Sequence, residues 1–236
     1  MFLMLVSHKY KFIFVKTKKS ASTTVEDYFT RFCVPHAYKS THAHDELITE
    51  HGIVGRRIRG KYVSKQRFNV KTTLAQIKKH LGNDKFNEYR KFTVIRNPFD
   101  RALSLFYFTK NIEAANRELL GHRLHCEFLK KHSDMDDISL FRKWITKLSP
   151  DAFSDKKAYL INNKPAIDFY IKYENLIDSI QECCEYLGVP FYPDEVGNFK
   201  NHYREAKIYK DFYTQSEINI IKKACKFECE TFGYDI

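Results

Sequence analysis

Apolar and polar positions along this chain alternate between two periods. KFIFV (residues 11–15), KFTVI (91–95) and IDFYIKY (167–173) are short, dense runs of β-branched and aromatic residues, as strands buried on both faces are. Between them the period lengthens to that of a helix. Thr23–Phe32 reads as a helix, and Leu74, Ile77 and Leu81 share one helical face ahead of Gly82, a suitable stop. Pro98–Phe108 reads as a helix capped by Asn97, with Pro98 in the first turn, where its missing donor costs nothing. A helix to Leu187 follows the third strand, and Ser216–Phe232 reads as one final helix with a Ser cap and Glu217 behind it. Residues 35–70 lack sustained periodicity and read as a loop-rich excursion, 111–160 as polar helices, and LGVPFYPDEVGNFKN as loop.

Strands that alternate with helices predict an α/β fold, a single domain over residues 1–236 with three layers: a central parallel sheet flanked by helices on both faces. Ligands of such sheets collect at the carboxyl ends of the strands. That rule puts the Lys16–Thr24 loop and the Arg96–Asp100 turn on one sheet edge, with the excursions 35–70 and 111–160 left to shape an acceptor site.

Charge sharpens this picture. Forty Lys and Arg against twenty-nine Asp and Glu give a formal charge of +11, a field that favours anionic partners such as nucleotides, nucleic acid, acidic glycans or a membrane surface. The mean hydropathy of −0.50 fits a soluble globular chain. No apolar run approaches the ~18 residues of a transmembrane helix. The opening MFLMLVSHKYKFIFV reads as lead-in and first strand, with no cleavage site after it. The six cysteines lack paired CxxC spacing, and Cys225 and Cys229, one helical turn apart, fit a buried helix face. The expectation is a soluble cytoplasmic protein in a reducing compartment, with no metal.

Two segments carry candidate chemistry. FIFVKTKKSASTTVEDYF (12–29) crowds Lys16, Lys18 and Lys19 against Ser20, Ser22, Thr23 and Thr24 between a strand and a helix. Such a loop offers backbone N–H groups and the positive end of a helix dipole to a phosphate-like anion. It is like a Walker A loop in outline only: no glycine precedes Gly52, and no Asp ends KFTVI to position Mg²⁺, which disfavours a metal-dependent nucleotide hydrolase. Taken alone, the loop equally fits a solvated lysine cluster beside a Thr-capped helix. The second segment is RNPFDRALSLFY (96–107): Arg96 at a strand end suits a bidentate phosphate grip, Ser104 lies roughly two turns further along, and Arg101 suits structure or the site rim.

Together these motifs resemble the sulfotransferases, and most nearly the carbohydrate-type (family 2) enzymes. KTKKSASTTVE is similar to their 5′-phosphosulfate loop and RNPFDRALSLFY to their 3′-phosphate segment, R-x-P-x-x-R-x-x-S-x-x-Y; the order and separation of the two and a later YENL (173–176) also match, with weaker similarity in LAQIKKHLG and in the terminal FGY. The resemblance implies a P-loop-like fold and a donor, 3′-phosphoadenosine 5′-phosphosulfate (PAPS), with no metal. It implies Lys19 as the catalytic lysine on the bridging oxygen, and Ser20, Ala21, Ser22, Thr23 and Thr24 around the 5′-phosphate. Arg96 and Ser104 would hold the 3′-phosphate, Tyr173 the adenine nucleoside, and Lys200 would close over the donor. The acceptor would be a hydroxyl, of a carbohydrate by the same resemblance.

This chain departs from the family in two places. Ala21 and Ser22 stand where relatives carry glycine, and Lys71 falls near a histidine many of them have. The general base is therefore sought in THAHDELITEHG, among His42, His44, Glu46, Glu50 and His51, with His51 preferred. The competing classes are a basic nucleic-acid-binding module, for which no RNA signature, zinc spacing or recognition helix is found, and a nucleotide-binding relative without catalysis.

Overall fold

Two apolar tetrapeptides, MLVS and FIFV, are joined by four residues, too few for the crossover that parallel strands require. In the computed structural model, which describes residues 4–35, 46–55, 73–111, 123–197 and 209–236, they form an antiparallel hairpin of β1 (Met4–Ser7) and β2 (Phe12–Val15). The chain continues through α1 (Ser22–Thr30), β3 (Leu47–Ile48), β4 (Gly52–Val54), α2 (Leu74–Leu81), α3 (Asn83–Glu88) and β5 (Arg90–Ile95). Then come α4 (Pro98–Lys110), α5 (Arg123–Lys131), α6 (Asp137–Ile145), α7 (Pro150–Phe153) and α8 (Lys156–Tyr159). A small ribbon of β6 (Leu160–Ile161) and β7 (Lys164–Pro165) leads to β8 (Phe169–Lys172), α9 (Leu176–Leu187), α10 (Gln215–Ala224) and α11 (Lys226–Phe232). These elements form two compact units, Met1–Ile95 with Lys156–Phe199, and Arg96–Asp155 with Lys200–Ile236.

The first unit holds a six-stranded sheet in the order β3-β4-β1-β2-β5-β8. β2, β5 and β8 are parallel neighbours, whereas β1 pairs antiparallel with β2 and β4, and β3 with β4. The central parallel sheet expected from strand–helix alternation is present in β2, β5 and β8, and the β1–β3–β4 side, antiparallel, makes the whole sheet mixed. The cause is local: short turns join β1 to β2 and β3 to β4, and residues 35–70, expected to be loop, contribute β3 and β4. Gly52 makes this edge possible, since a Cβ there would lie 2.1 Å from the Val6 carbonyl oxygen and 2.8 Å from that of Cys33.

Leu5, Phe12, Phe14, Phe92, Val94 and Ile171 share one cluster with Val25, Tyr28 and Phe29 of α1 and Ile180, Cys183, Cys184 and Leu187 of α9. Phe29 meets Phe92 at 4.7 Å between ring centroids. On the opposite face Met4, Val6, Ile13, Val15, Ile53, Thr93 and Ile95 are equally buried, which accounts for the continuous apolar runs of the central strands. α2 begins with a capping box between Thr73 and Gln76, and its stop at Gly82 is the one its sequence predicts.

The second unit is helical. Phe99, Ala102, Leu103, Phe106 and Tyr107 of α4 pack with Leu140, Phe141, Trp144 and Ile145 of α6 and Ile221 and Cys225 near the end of α10. The single final helix expected over Ser216–Phe232 is instead two, broken at Cys225 (φ −112, ψ 35), and its cap is Thr214, boxed with Glu217. At the break, Cys225 Sγ turns toward the Phe153 carbonyl at 3.4 Å, inside a buried polar cluster around Arg101.

At the far end of the first unit's sheet, the Tyr89 hydroxyl lies 2.9 Å from Nδ1 of half-buried His8. Burial, and then the nearby Lys85 charge, lower the His8 pKa below 6.5. A depressed folded pKa gives stability that is held above the unfolded value and lost as pH falls through the folded one. Thermal unfolding between about pH 7 and about pH 5 should therefore fall less steeply for His8→Gln than for wild type.

Candidate functional site

β2 ends at Val15, level with Thr93 of β5, and the next residues form the loop singled out by its lysines. Lys16 is turned into the interior: its Nζ lies 2.5 Å from Glu26 Oε2 of α1, and both side chains are buried. That pair straps the start of the loop to the helix that ends it. Thr17 takes a second anchor, donating its hydroxyl to the Val94 carbonyl of β5 at 2.6 Å. The same oxygen lies 2.6 Å from Ser20 Oγ and 2.8 Å from Ser22 Oγ, which are themselves 2.8 Å apart. The Thr17 amide also donates to Ser22 Oγ at 3.2 Å. Thr17, Ser20 and Ser22 are all buried, so this is an internal ring of hydroxyls.

Around that ring the backbone takes an uncommon path. Lys19 (φ 54) and Ala21 (φ 57) both lie in the left-handed region, which costs an L-residue roughly 1–2 kcal/mol. Ala21 occupies the N-cap of α1, with its carbonyl accepting from Thr24 N at 2.9 Å and Val25 N at 3.3 Å. Backbone turns of this hand gather successive N–H groups into an anion-binding concavity. Glycine is what such positions favour, and the family's glycines have that physical reason; this chain makes the turn without one. Lys18, Lys19 and Thr23 are half-exposed, whereas Thr24 is buried.

Tyr173 follows β8 in a single 3-10 turn and is half-buried. β8 runs parallel to β5 and β5 to β2, so Tyr173 and the Lys16–Thr24 loop share the carboxyl edge of the first unit's sheet. His51 does not join them. It precedes Gly52, which pairs with Ser7, which in turn pairs with Phe12 at the start of β2, and its carbonyl accepts from His8 N at 2.8 Å. At ~3.3 Å per residue along a strand, His51, one residue beyond Gly52, lies roughly 13 Å short of the level of Val15, at the other end of the sheet. The expectation assumed an overhanging loop, and the β3–β4 hairpin is what removes it. Glu50 sits in the same hairpin turn and Glu46 just before it. His42, His44, Lys71 and Lys200 lie outside the described residues.

In the second unit Arg96 stands at the foot of α4, 8% exposed, with Nε and Nη2 at 2.6 and 2.5 Å from Asp100 Oδ2. Asn97 caps the helix as expected, accepting from Phe99 N at 2.9 Å, and its Nδ2 donates to the Asp235 carbonyl at 2.9 Å. Ser104 is half-exposed on α4, about two turns from Arg96. Arg101 is buried, with Nη1 3.1 Å from Asp155 Oδ2 and Nη2 3.0 Å from Glu228 Oε1. It also donates to the Phe153 carbonyl. The second arginine of the motif is structural.

Sequence reasoning missed Thr17, whose role depends on the β5 carbonyl across from it, and it missed the partners of Lys16 and Arg96. The spacing Lys16–Glu26, one loop plus one helical turn, and Arg96–Asp100, four residues apart at a helix start, were signals for the latter two.

A model of the sulfotransferase family matches residues 3–235, essentially the whole chain, and the chain belongs to that family. It is thereby a transferase of sulfuryl groups to a hydroxyl-bearing acceptor. No curated protein and no solved structure matches it. Among the described residues no helix is long and apolar enough to cross a membrane, and no group of His, Cys, Asp and Glu is placed to hold a metal.

Proposed function

We propose that the protein transfers the sulfuryl group of PAPS to a carbohydrate hydroxyl. The observation that carries this reading is the strand–loop–helix Val15–Thr24, of P-loop-like order, in a chain matched to the sulfotransferase family from residue 3 to 235. In this reading the backbone of Ser20–Thr24 and the Thr23 hydroxyl receive the 5′-phosphate. Ser20 and Ser22 act from inside the loop, because their hydroxyls are buried against Thr17. Lys19 neutralises charge on the bridging oxygen as the phosphate–sulfate bond breaks. By the family motif, Arg96 and Ser104 take the 3′-phosphate, with Tyr173 beside the nucleoside and Lys200 over it. The +11 charge suits a polar or anionic glycan as acceptor. His51 is not carried forward as general base.

Thermal unfolding with adenosine 3′,5′-bisphosphate, ADP and Mg-ATP tests the donor site. At a hundred times its Kd the bisphosphate should add about 2.7 kcal/mol, several degrees of Tm in a chain of this size. The shift should be specific to the bisphosphate and lost in Arg96→Ala. An equal shift with every nucleotide, falling steeply with salt, would instead favour a basic surface without a donor site.

A further inference from the structure

The geometry points to Thr17 as a positioning residue for the transfer step: its hydroxyl ties the β5 carbonyl of Val94 to Ser20 and Ser22, and that ring holds the left-handed turns which aim Lys19. This rests on the reading of Lys19 given above, and adds to it a residue to which the family resemblance gave no role.

Proton counting shows why Thr17 is the key member. Its own proton goes to Val94 O at 2.6 Å. Three contacts remain among the hydroxyls, Thr17–Ser20, Thr17–Ser22 and Ser20–Ser22, with only the two serine protons to fill them. Ser22 Oγ in addition accepts from the Thr17 amide. Both serines can direct their protons to Thr17 Oγ1, which then joins strand, loop and helix start at one buried atom. Backbone conformations of this kind persist only where their surroundings over-determine them. Glycine at position 21 would remove one of the two strained positions, because glycine adopts positive φ without a Cβ penalty. Here Ala21 and Lys19 sit on either side of Ser20, so two strained residues flank one ring member.

The prediction is a specific coupling. Thr17→Val keeps the shape and removes the hydroxyl, so kcat should fall about tenfold or more, as misplacement of a reacting group by ~1 Å can produce. Thr17→Ser should restore kcat. Measured against Ala21→Gly itself, Thr17→Val/Ala21→Gly should lose much less rate than Thr17→Val loses against wild type, a non-additivity expected of contacting sites. A purely space-filling role for Thr17 would not be rescued by a glycine four residues away. Amide hydrogen exchange of residues 17–24 supplies an arm independent of turnover: it should accelerate in Thr17→Val and not in Thr17→Ser.

Wild-type kcat in Thr17→Val, failure of Ala21→Gly to rescue it, or unchanged exchange in the loop would each overturn the inference. If wild type itself neither transfers sulfuryl groups nor binds the bisphosphate, the functional reading fails, and the exchange experiment still decides whether Thr17 holds the loop.

Discussion

Replacing Arg101 with methionine is expected to destabilise the protein by about 3–5 kcal/mol, lowering Tm by roughly 10 °C or more. The reason lies in its neighbours. Arg101, Asp155 and Glu228 are 4%, 1% and 1% exposed, so two carboxylates share one buried guanidinium. Methionine would fill much of the space but leave both acids without their cation in an apolar surround. Removing one partner of a buried ionic cluster costs far more than the cluster is worth, because the remaining charge keeps its desolvation penalty. The variant Arg101→Met/Asp155→Asn/Glu228→Gln separates these contributions: stability should return much of the way, although every ionic contact is gone. Equal stability of wild type and Arg101→Met in a thermal or urea melt would show that the cluster is not buried as described. The position also bears on reading the motif. Arg96 and Arg101 look alike in R-x-P-x-x-R, yet one meets Asp100, four residues on in the first turn of α4, and the other is locked by carboxylates more than fifty residues away.

That contrast marks what a sequence of this kind discloses. The central strands were legible because burial on both faces makes them continuously apolar, and α2 and α4 because Thr73, Gly82, Asn97 and Pro98 are strong local punctuation. The β1–β4 side was less so. A strand of two or three residues such as GIV carries no period, and only the approach of Gly52 to the Val6 carbonyl shows why a glycine stands there. The break at Cys225 was illegible for a related reason: the helical pattern runs unbroken through it, and the interruption coincides with contacts to Arg101 and Phe153 that no local window contains. In the loop, residue types predicted an anion site, but the division of labour among them depended on tertiary partners. Lys16 and Lys19 are equally basic in sequence. Glu26, a turn into α1, takes the first of them into the interior.

Lys19→Ala should lower kcat about 10²–10³-fold, the scale on which donors to charge developing in a transition state act, with little change in Tm. Lys19 is half-exposed on a loop whose anchors are Thr17, Ser20, Ser22 and the Lys16–Glu26 pair. Its removal takes away a charge and leaves the hydroxyl ring intact. Affinity for the bisphosphate product should change less than kcat, because in the proposed reading the lysine is needed most where the bridging oxygen becomes an anion. Lys19→Arg should recover only part of the rate, since a planar guanidinium does not replace a compact ammonium at one oxygen. Arg96→Ala should show the complementary pattern, raising the donor KM with a smaller effect on kcat, as loss of uniform binding does. Single-turnover rates at saturating donor distinguish the two. If Lys19→Ala keeps its rate while Arg96→Ala loses donor binding, the donor site stands but leaving-group stabilisation must come from another cation, and Lys18, half-exposed beside it, becomes the residue to replace next.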